Sequence, residues 1–198
     1  KGIKVAKGDF IVRQDVDDVS HPTRIERQLN WFSQNKNGVL CGSWFKKMNH
    51  DGRQNLFNIN PPCGVEKIIK SLKFKNVFCH STVMFKKKID ESLLLYDENF
   101  QFAQDYELWS RISKYGLVEN LNEYLVAQQL NDQNISIVFK KEQRMAAIFI
   151  AMTNQFIELK DILNRSNDFE YILKSLYKNS KYKNSIILLS YIYNISLF

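Results

Sequence analysis

Asp15, Asp17 and Asp18 stand together in the run Asp15-Val16-Asp17-Asp18. Alternate carboxylates can converge on one hard divalent cation. Mg²⁺ or Mn²⁺ then takes one or two carboxylates and fills its remaining positions with substrate phosphate oxygens. The run also suits a plainer use, in which Asp18 or Ser20 caps a following helix and the other aspartates face solvent. A second group is Gln104-Asp105-Tyr106-Glu107-Leu108-Trp109. Asp105 falls in the first turn of a predicted helix, where the macrodipole stabilises a carboxylate. The same position would hold a general base within reach of a substrate hydroxyl. Trp109 and Ile112 follow on the same helical face and suit a core equally well. His80 is the third candidate. It precedes a buried-looking strand that could deliver it to the face of Asp105, although such a histidine is more often a hydrogen-bonded structural residue.

The elements that must position these residues follow from patterning. Residues 10–14 are rich in β-formers and read as a strand ending at the acidic run. Ser20 as N-cap, Pro22 in the first turn and apolar Ile25, Leu29 and Phe32 then predict a helix. Residues 39–45 read as a strand, residues 49–52 as a turn, and residues 56–59 as the second arm of a hairpin. After Pro61-Pro62, residues 63–72 are helical in pattern, with Val65, Ile68, Ile69 and Leu72 on one face. Residues 81–85 read as a buried strand and 96–102 as a loop. Residues 104–115 read as a helix closed by Gly116, with Leu108, Trp109, Ile112 and Tyr115 as its stripe. A strand over 121–127 follows. Helical patterning then covers 138–163, 169–177 and the apolar tail, which places a domain boundary near residue 137.

Composition narrows the class. With 198 residues, 44% of them apolar, one domain with a proper core is accessible. The formal charge of +7 favours anionic partners, among them phosphorylated substrates, acidic lipid headgroups and nucleic acid. Nucleic-acid binding is disfavoured, because the aromatics cluster in apolar helices instead of alternating with Lys and Arg. Cys41, Cys63 and Cys79 are odd in number and have no C-x-x-C spacing, which argues against a disulfide framework or a structural zinc and for a reducing compartment. No leader-like apolar segment opens the chain and no run of about 20 apolar residues crosses it. A cytoplasmic location is expected.

The three groups occur in a specific order. A strand runs into D-x-D-D, and Ser20-x-Pro22-x-Arg24-x-x-x-Gln28 opens a helix. His80-Ser81-x-Val83-Met84-Phe85-Lys86-Lys87 follows, then Tyr96-Asp97-Glu98-x-Phe100-x-x-Ala103-Gln104-Asp105-Tyr106-Glu107-Leu108-Trp109-x-Arg111, and last Asn120-Leu121-x-Glu123-x-Leu125. Over residues 1–136 this resembles glycosyltransferase family 2, the inverting GT-A enzymes that build bacterial surface polysaccharides and lipo-oligosaccharides. The resemblance implies an α/β, Rossmann-like GT-A core over residues 1–137, lacking its first strands, and an α-helical C-terminal region over 138–198. It implies transfer of a hexose from a nucleotide sugar, a UDP-hexose being expected, to a glycan or lipid-linked acceptor. Asp15 and Asp17 would then hold Mn²⁺ or Mg²⁺ against the donor diphosphate, with Asp17 the direct ligand and Asp18 organising the loop. Asp105 would be the catalytic base, and Gln104, His80 and Trp109 would lie on the acceptor side.

Two departures bear on that expectation. Gln128-Gln129 stand where many relatives carry basic residues for the diphosphate, so that grip would come from elsewhere, with Arg13 or Arg24 as candidates. The family's opening βαβ unit has no counterpart before Lys1, and residues 1–7 read as the tail of a helix, so an N-terminally truncated chain is expected. An inactive fragment or vestigial binding module is therefore the alternative reading. The basic-aromatic residues 178–183 and the apolar residues 186–198 either complete the core or lie on the inner face of the cytoplasmic membrane.

Overall fold

The computed structural model describes residues 1–49, 51–52, 54–130 and 138–163, with side chains described through residue 155. The expected elements over 169–198, and with them the expected membrane-facing tail, lie outside the described residues.

A short helix α1 (Gly2–Val5) leads into strand β1 (Phe10–Val12), a turn carrying the three aspartates, and a two-residue strand β2 (Val19–Ser20). Helix α2 (Arg24–Gln34) and the long strand β3 (Gly38–Met48) come next, then β4 (Asn55–Ile59) and α3 (Val65–Leu72). A single 3₁₀ turn (His80–Thr82) precedes β5 (Met84–Lys86) and the small hairpin β6 (Lys88–Ile89) and β7 (Ser92–Leu93). Helix α4 (Gln104–Ile112), strand β8 (Leu117–Gln129) and helix α5 (Lys140–Leu163) complete the described chain.

The main sheet runs β1-β5-β3-β8-β2, with β4 also paired to β3. Its spine is the parallel pair β3–β8, and β3 is covered on both faces along its first half. Residues 38–43 are therefore all buried, and β3 reads as an unbroken apolar and small-residue run instead of an alternating one. The pleat still sorts neighbours. Leu40 and Phe85 enter the large cluster with α3, α4 and α5, whereas Cys41 and Met84 enter a smaller one with Phe32 of α2. Phe149, Ile150 and Ala151 of α5 are buried, and Ile150 and Ala151 belong to the large cluster. The first helix beyond residue 137 is thus built into the same core as α4.

Two expectations about α2 are corrected. Ser20 does not cap α2: it lies in β2, the N-cap position is Thr23, and no side-chain cap bond forms there. Nor does α2 turn its whole apolar stripe inward. Ile25 and Leu29 are more than 40% exposed, while Arg24, Gln28 and Phe32 are buried. The inward face is polar because it serves backbone carbonyls: Gln28 Nε2 donates to Cys41 O at 2.7 Å and Thr82 O at 2.8 Å.

Helix α4 stops at Ile112, not Tyr115, and Tyr115 is 59% exposed. Gly116 does not close it in a left-handed conformation. The lack of a side chain at Gly116 serves close packing, since a Cβ there would overlap Asn37 O and approach Val39 Cγ1 to 2.7 Å. Gly116→Ala is therefore expected to destabilise the fold by about 1–3 kcal/mol, the usual cost of overpacking against backbone, as read by urea unfolding.

Candidate functional site

The turn between β1 and β2 is pinned from several sides. Asp18 N donates to Asp15 O at 3.2 Å, closing the turn on itself. Asp15 N donates to Ser81 Oγ at 3.3 Å, and Gln14 Nε2 donates to Asp18 O. Beneath it lies Arg24, 1% exposed, whose guanidinium uses all five of its N–H groups. Nε meets Gln28 Oε1 (3.2 Å), Nη1 meets Gln14 Oε1 (3.0 Å) and Ser20 Oγ (2.8 Å), and Nη2 meets Arg13 O (2.9 Å) and Val83 O (3.2 Å). Every partner is neutral. Burial pulls the guanidinium down to about 10, with Cys79, Cys41 and Asp18 opposing that shift, so it remains charged at neutral pH. The motif Arg24-x-x-x-Gln28 thus anchors both ends of the acidic turn to the sheet.

The three aspartates have different surroundings. Asp18 is buried, and its Oδ1 accepts from Gln129 N at 3.1 Å, tying the turn to the end of β8. Burial pushes its carboxyl upward, opposed by the Ser81 hydroxyl and the Gln129 amide. This fits the expected loop-organising role. Asp15 Oδ1 receives Arg13 Nη2 at 3.3 Å and has His80 Nδ1 at 3.7 Å, so two groups converge on one oxygen and leave the other without a partner among the described residues. Asp17 makes no hydrogen bond or ion pair among the described residues and is partly exposed.

No three His, Cys, Asp or Glu side chains among the described residues converge to hold a metal by themselves. Asp17 and the open oxygen of Asp15 nonetheless suit a hard cation that completes its shell with water and phosphate oxygens.

His80 sits on the 3₁₀ turn before β5. Its Nε2 accepts from Arg13 Nε at 3.0 Å, so the neutral ring carries its proton on Nδ1, toward Asp15. Burial and the Arg13 charge lower its proton affinity, while Asp105 and Asp15 raise it. Tyr96 Oη lies 2.9 Å from the same Nε2. Asp105 occupies the first turn of α4 and accepts from Asn76 Nδ2 at 2.9 Å through Oδ2. The residue before the helix, Ala103, is held at φ 53°, a left-handed conformation that costs a non-glycine residue about 1–2 kcal/mol. That kink sets the direction in which α4 starts. Asp15 and Asp105 both act electrostatically on His80, Tyr96 and Cys79. Fold closure has thus brought both carboxylate groups close to one histidine.

Gln104 is exposed beside a cleft of about 530 Å³ that Arg13, His80 and Tyr96 also line. Trp109, expected on the acceptor side, is instead fully buried against Phe85, Tyr96 and His80. It supports the histidine from behind and does not reach solvent. Its Nε1 has no hydrogen-bond partner among the described residues. Asn120 and Glu123, quoted in the motif order, are structural as well. Asn120 Nδ2 ties Pro62 O and Val77 O, and Glu123 pairs with Arg27 of α2. Asn76 and Tyr96 as contacts of the site were missed in the sequence. Tyr96 opens a quoted motif, but nothing local marks a tyrosine as meeting a histidine sixteen residues away.

Comparison with known proteins identifies the family. The model of "Glycosyl transferase family 2" matches residues 1–94. The chain is 30% identical over 179 residues to the O-antigen biosynthesis glycosyltransferase WbnJ of Escherichia coli, covering 87% of this chain and 66% of that protein. It is 29% identical over 126 residues to the amylovoran biosynthesis glycosyltransferase AmsE of Erwinia amylovora, covering 63% and 46%. It is 28% identical over 159 residues to an uncharacterized glycosyltransferase of Methanocaldococcus jannaschii, covering 78% and 53%. The chain therefore spans about half to two thirds of the length of these relatives. The motif order, the sheet that gathers the motifs and these similarities together establish that the chain belongs to glycosyltransferase family 2 and has its GT-A fold.

Proposed function

We propose that this chain transfers a hexose from a nucleoside-diphosphate sugar, a UDP-hexose in the first instance, to a hydroxyl of a glycan or lipid-linked acceptor, with inversion. The observation that supports the reading is the approach of the acidic turn and Asp105 to one histidine, His80. Asp105 accepts the acceptor hydroxyl proton, and the resulting oxygen forms its bond to the anomeric carbon. The bond from that carbon to the donor diphosphate breaks on the opposite face, its electron pair leaving on the phosphate oxygen. Asp17, with the open oxygen of Asp15, would hold Mn²⁺ or Mg²⁺, which when bound supplies Lewis-acid stabilisation to the departing diphosphate. Two similar proteins are named for O-antigen and amylovoran biosynthesis, which supports an acceptor of the same broad class. No described helix is long and apolar enough to cross a membrane. The net charge of +7 and the basic-aromatic residues 178–183 support a peripheral contact with anionic lipid on the cytoplasmic side.

One observation favours a second reading, a binding module without turnover. The end of β8 offers neutral Gln128 and Gln129, the former donating to Cys79 Sγ at 3.8 Å and the latter bound through its backbone to Asp18. Calorimetry with UDP and Mn²⁺ separates the cases. The parent chain is expected to bind UDP in a manganese-dependent way, and Asp17→Ala to weaken that binding at least about 10-fold through loss of a charged ligand. Binding without turnover supports the module. Equal manganese-dependent affinity in parent and variant would remove Asp17 from the metal site.

A further inference from the structure

Helix α5 enters the core only from its third turn. Residues 138–142, 144 and 145 are exposed, 143 and 146–148 are half-buried, and full burial begins at Phe149. The projecting end is apolar and basic together. Val138 is 58% exposed, Phe139 43% and Met145 47%, and Lys140, Lys141 and Arg144 are interleaved with them. Arg27 and Lys88, also exposed, pair with Glu123 and Glu91. The three cations of α5 make no side-chain hydrogen bond or ion pair among the described residues, although Glu142 stands between them. Such a surface suits the plane where lipid headgroups meet acyl chains, with apolar groups entering and cations reaching phosphate oxygens. The same end is tied to the candidate site. Phe139 packs on Phe102 with ring centroids 5.4 Å apart, and Phe149 on Phe100 at 6.1 Å. Phe102 lies on the loop that runs straight into Asp105 and the start of α4.

We propose that Val138, Phe139 and the first two turns of α5 dock on an anionic lipid surface and hold the Asp105 end of the molecule against it. Charge selects this occupant. Three unpaired cations repel a second copy of a chain whose net charge is +7. They also repel residues 178–183, which carry three lysines of their own, so the apolar tail beyond those lysines is a poor cover. An acidic bilayer supplies both the opposite charge and the apolar depth. A second basic-aromatic patch, Lys70, Phe74 and Lys75, offers a single exposed ring and is given no part in the contact. Contact with lipid stands on the α5 surface alone. That it brings a lipid-linked acceptor to Asp105 rests on the transferase reading, and it narrows the acceptor to the lipid-linked class.

The test is flotation of the full chain with vesicles of phosphatidylcholine alone and of equimolar phosphatidylcholine and phosphatidylglycerol. The parent is expected to bind the mixed vesicles at least about 10-fold more tightly than the neutral ones. The triple variant Lys140→Gln, Lys141→Gln, Arg144→Gln is expected to lose about 30- to 100-fold on the mixed vesicles, each cation near such a surface being worth about 5-fold. Val138→Ser with Met145→Gln is expected to lose about 3- to 10-fold. All five substitutions fall on exposed positions, and thermal unfolding like that of the parent separates lost binding from lost folding. Lys70→Gln with Lys75→Gln is expected to stay within about threefold of the parent. If the triple variant floats as the parent does, any membrane contact belongs to residues 178–198 and the α5 surface is wrong. It is equally wrong if the parent binds no mixed vesicles, or if Lys70→Gln with Lys75→Gln costs as much as the triple variant. If vesicle binding depends on the three cations but the chain binds no UDP–Mn²⁺ in calorimetry, the lipid surface stands and the transferase reading falls.

Discussion

Asp105→Asn is expected to lower kcat for sugar transfer by about 10²- to 10⁴-fold, the range for loss of a positioned general base, while leaving manganese-dependent UDP binding nearly unchanged. The amide is isosteric and cannot take the acceptor proton at neutral pH. The contact to Asn76 distinguishes this from a loss of structure. Asn76 Nδ2 donates to Asp105 Oδ2 at 2.9 Å, and an asparagine carbonyl can still accept that bond. The helix start at Gln104 and the kink at Ala103 are therefore expected to persist, with thermal stability close to that of the parent. Steady-state transfer assays with saturating donor, run beside calorimetry, check both halves. A kcat within about threefold of the parent would take the base role from Asp105, since proton transfer is worth far more. A matching collapse of UDP affinity would instead assign Asp105 to the donor pocket.

Arg24→Met carries the second large effect, and it falls on stability. Its guanidinium is almost wholly buried and serves five acceptors on four stretches of chain: Arg13 and Gln14, Ser20, Gln28 and Val83. Methionine fills most of the volume but leaves buried oxygens without donors. Each such loss costs about 1–3 kcal/mol before relaxation, so a total near 3–5 kcal/mol is expected in urea unfolding. Arg24→Lys keeps the charge with three donors in place of five and is expected to fall between the two. The same substitution releases both ends of the acidic turn, so manganese-dependent UDP affinity should fall even where the Lys variant stays folded. A Met variant within about 1 kcal/mol of the parent would mean that water satisfies the orphaned carbonyls.

The contrast between these residues shows what was legible in advance. Asp15, Asp17, Asp18, His80 and Asp105 stood out as candidates because short polar runs interrupt apolar patterns at strand and helix ends. Strand β3, the hairpin β3–β4 and helix α3 were readable from continuous or periodic apolar residues. Their order along the chain was enough to indicate the family. Helix α2 was located correctly but faced wrongly. Apolar periodicity assumes that the inward face is greasy, and here Arg24 and Gln28 turn inward to satisfy carbonyls that the sheet leaves open. Trp109 was misassigned for the converse reason: an aromatic one helical turn from Asp105 shares its approximate face, but only packing decides whether that position meets solvent.

The sequence by itself determined the family, the residue types available for metal, base and phosphate chemistry, and the local elements that carry them, because composition and short-range spacing encode those directly. Only the tertiary structure decided which of them meet. Asp15, His80, Tyr96 and Asp105 are spread over about ninety residues, and they converge because β1 pairs with β5 and α4 packs behind them. Only tertiary structure, too, separated two arginines that look equivalent in sequence. Arg24 is saturated and buried under the turn, and Arg13, part-exposed at its edge, makes two side-chain hydrogen bonds among the described residues, a difference set by the carbonyls and side chains that gather around Arg24.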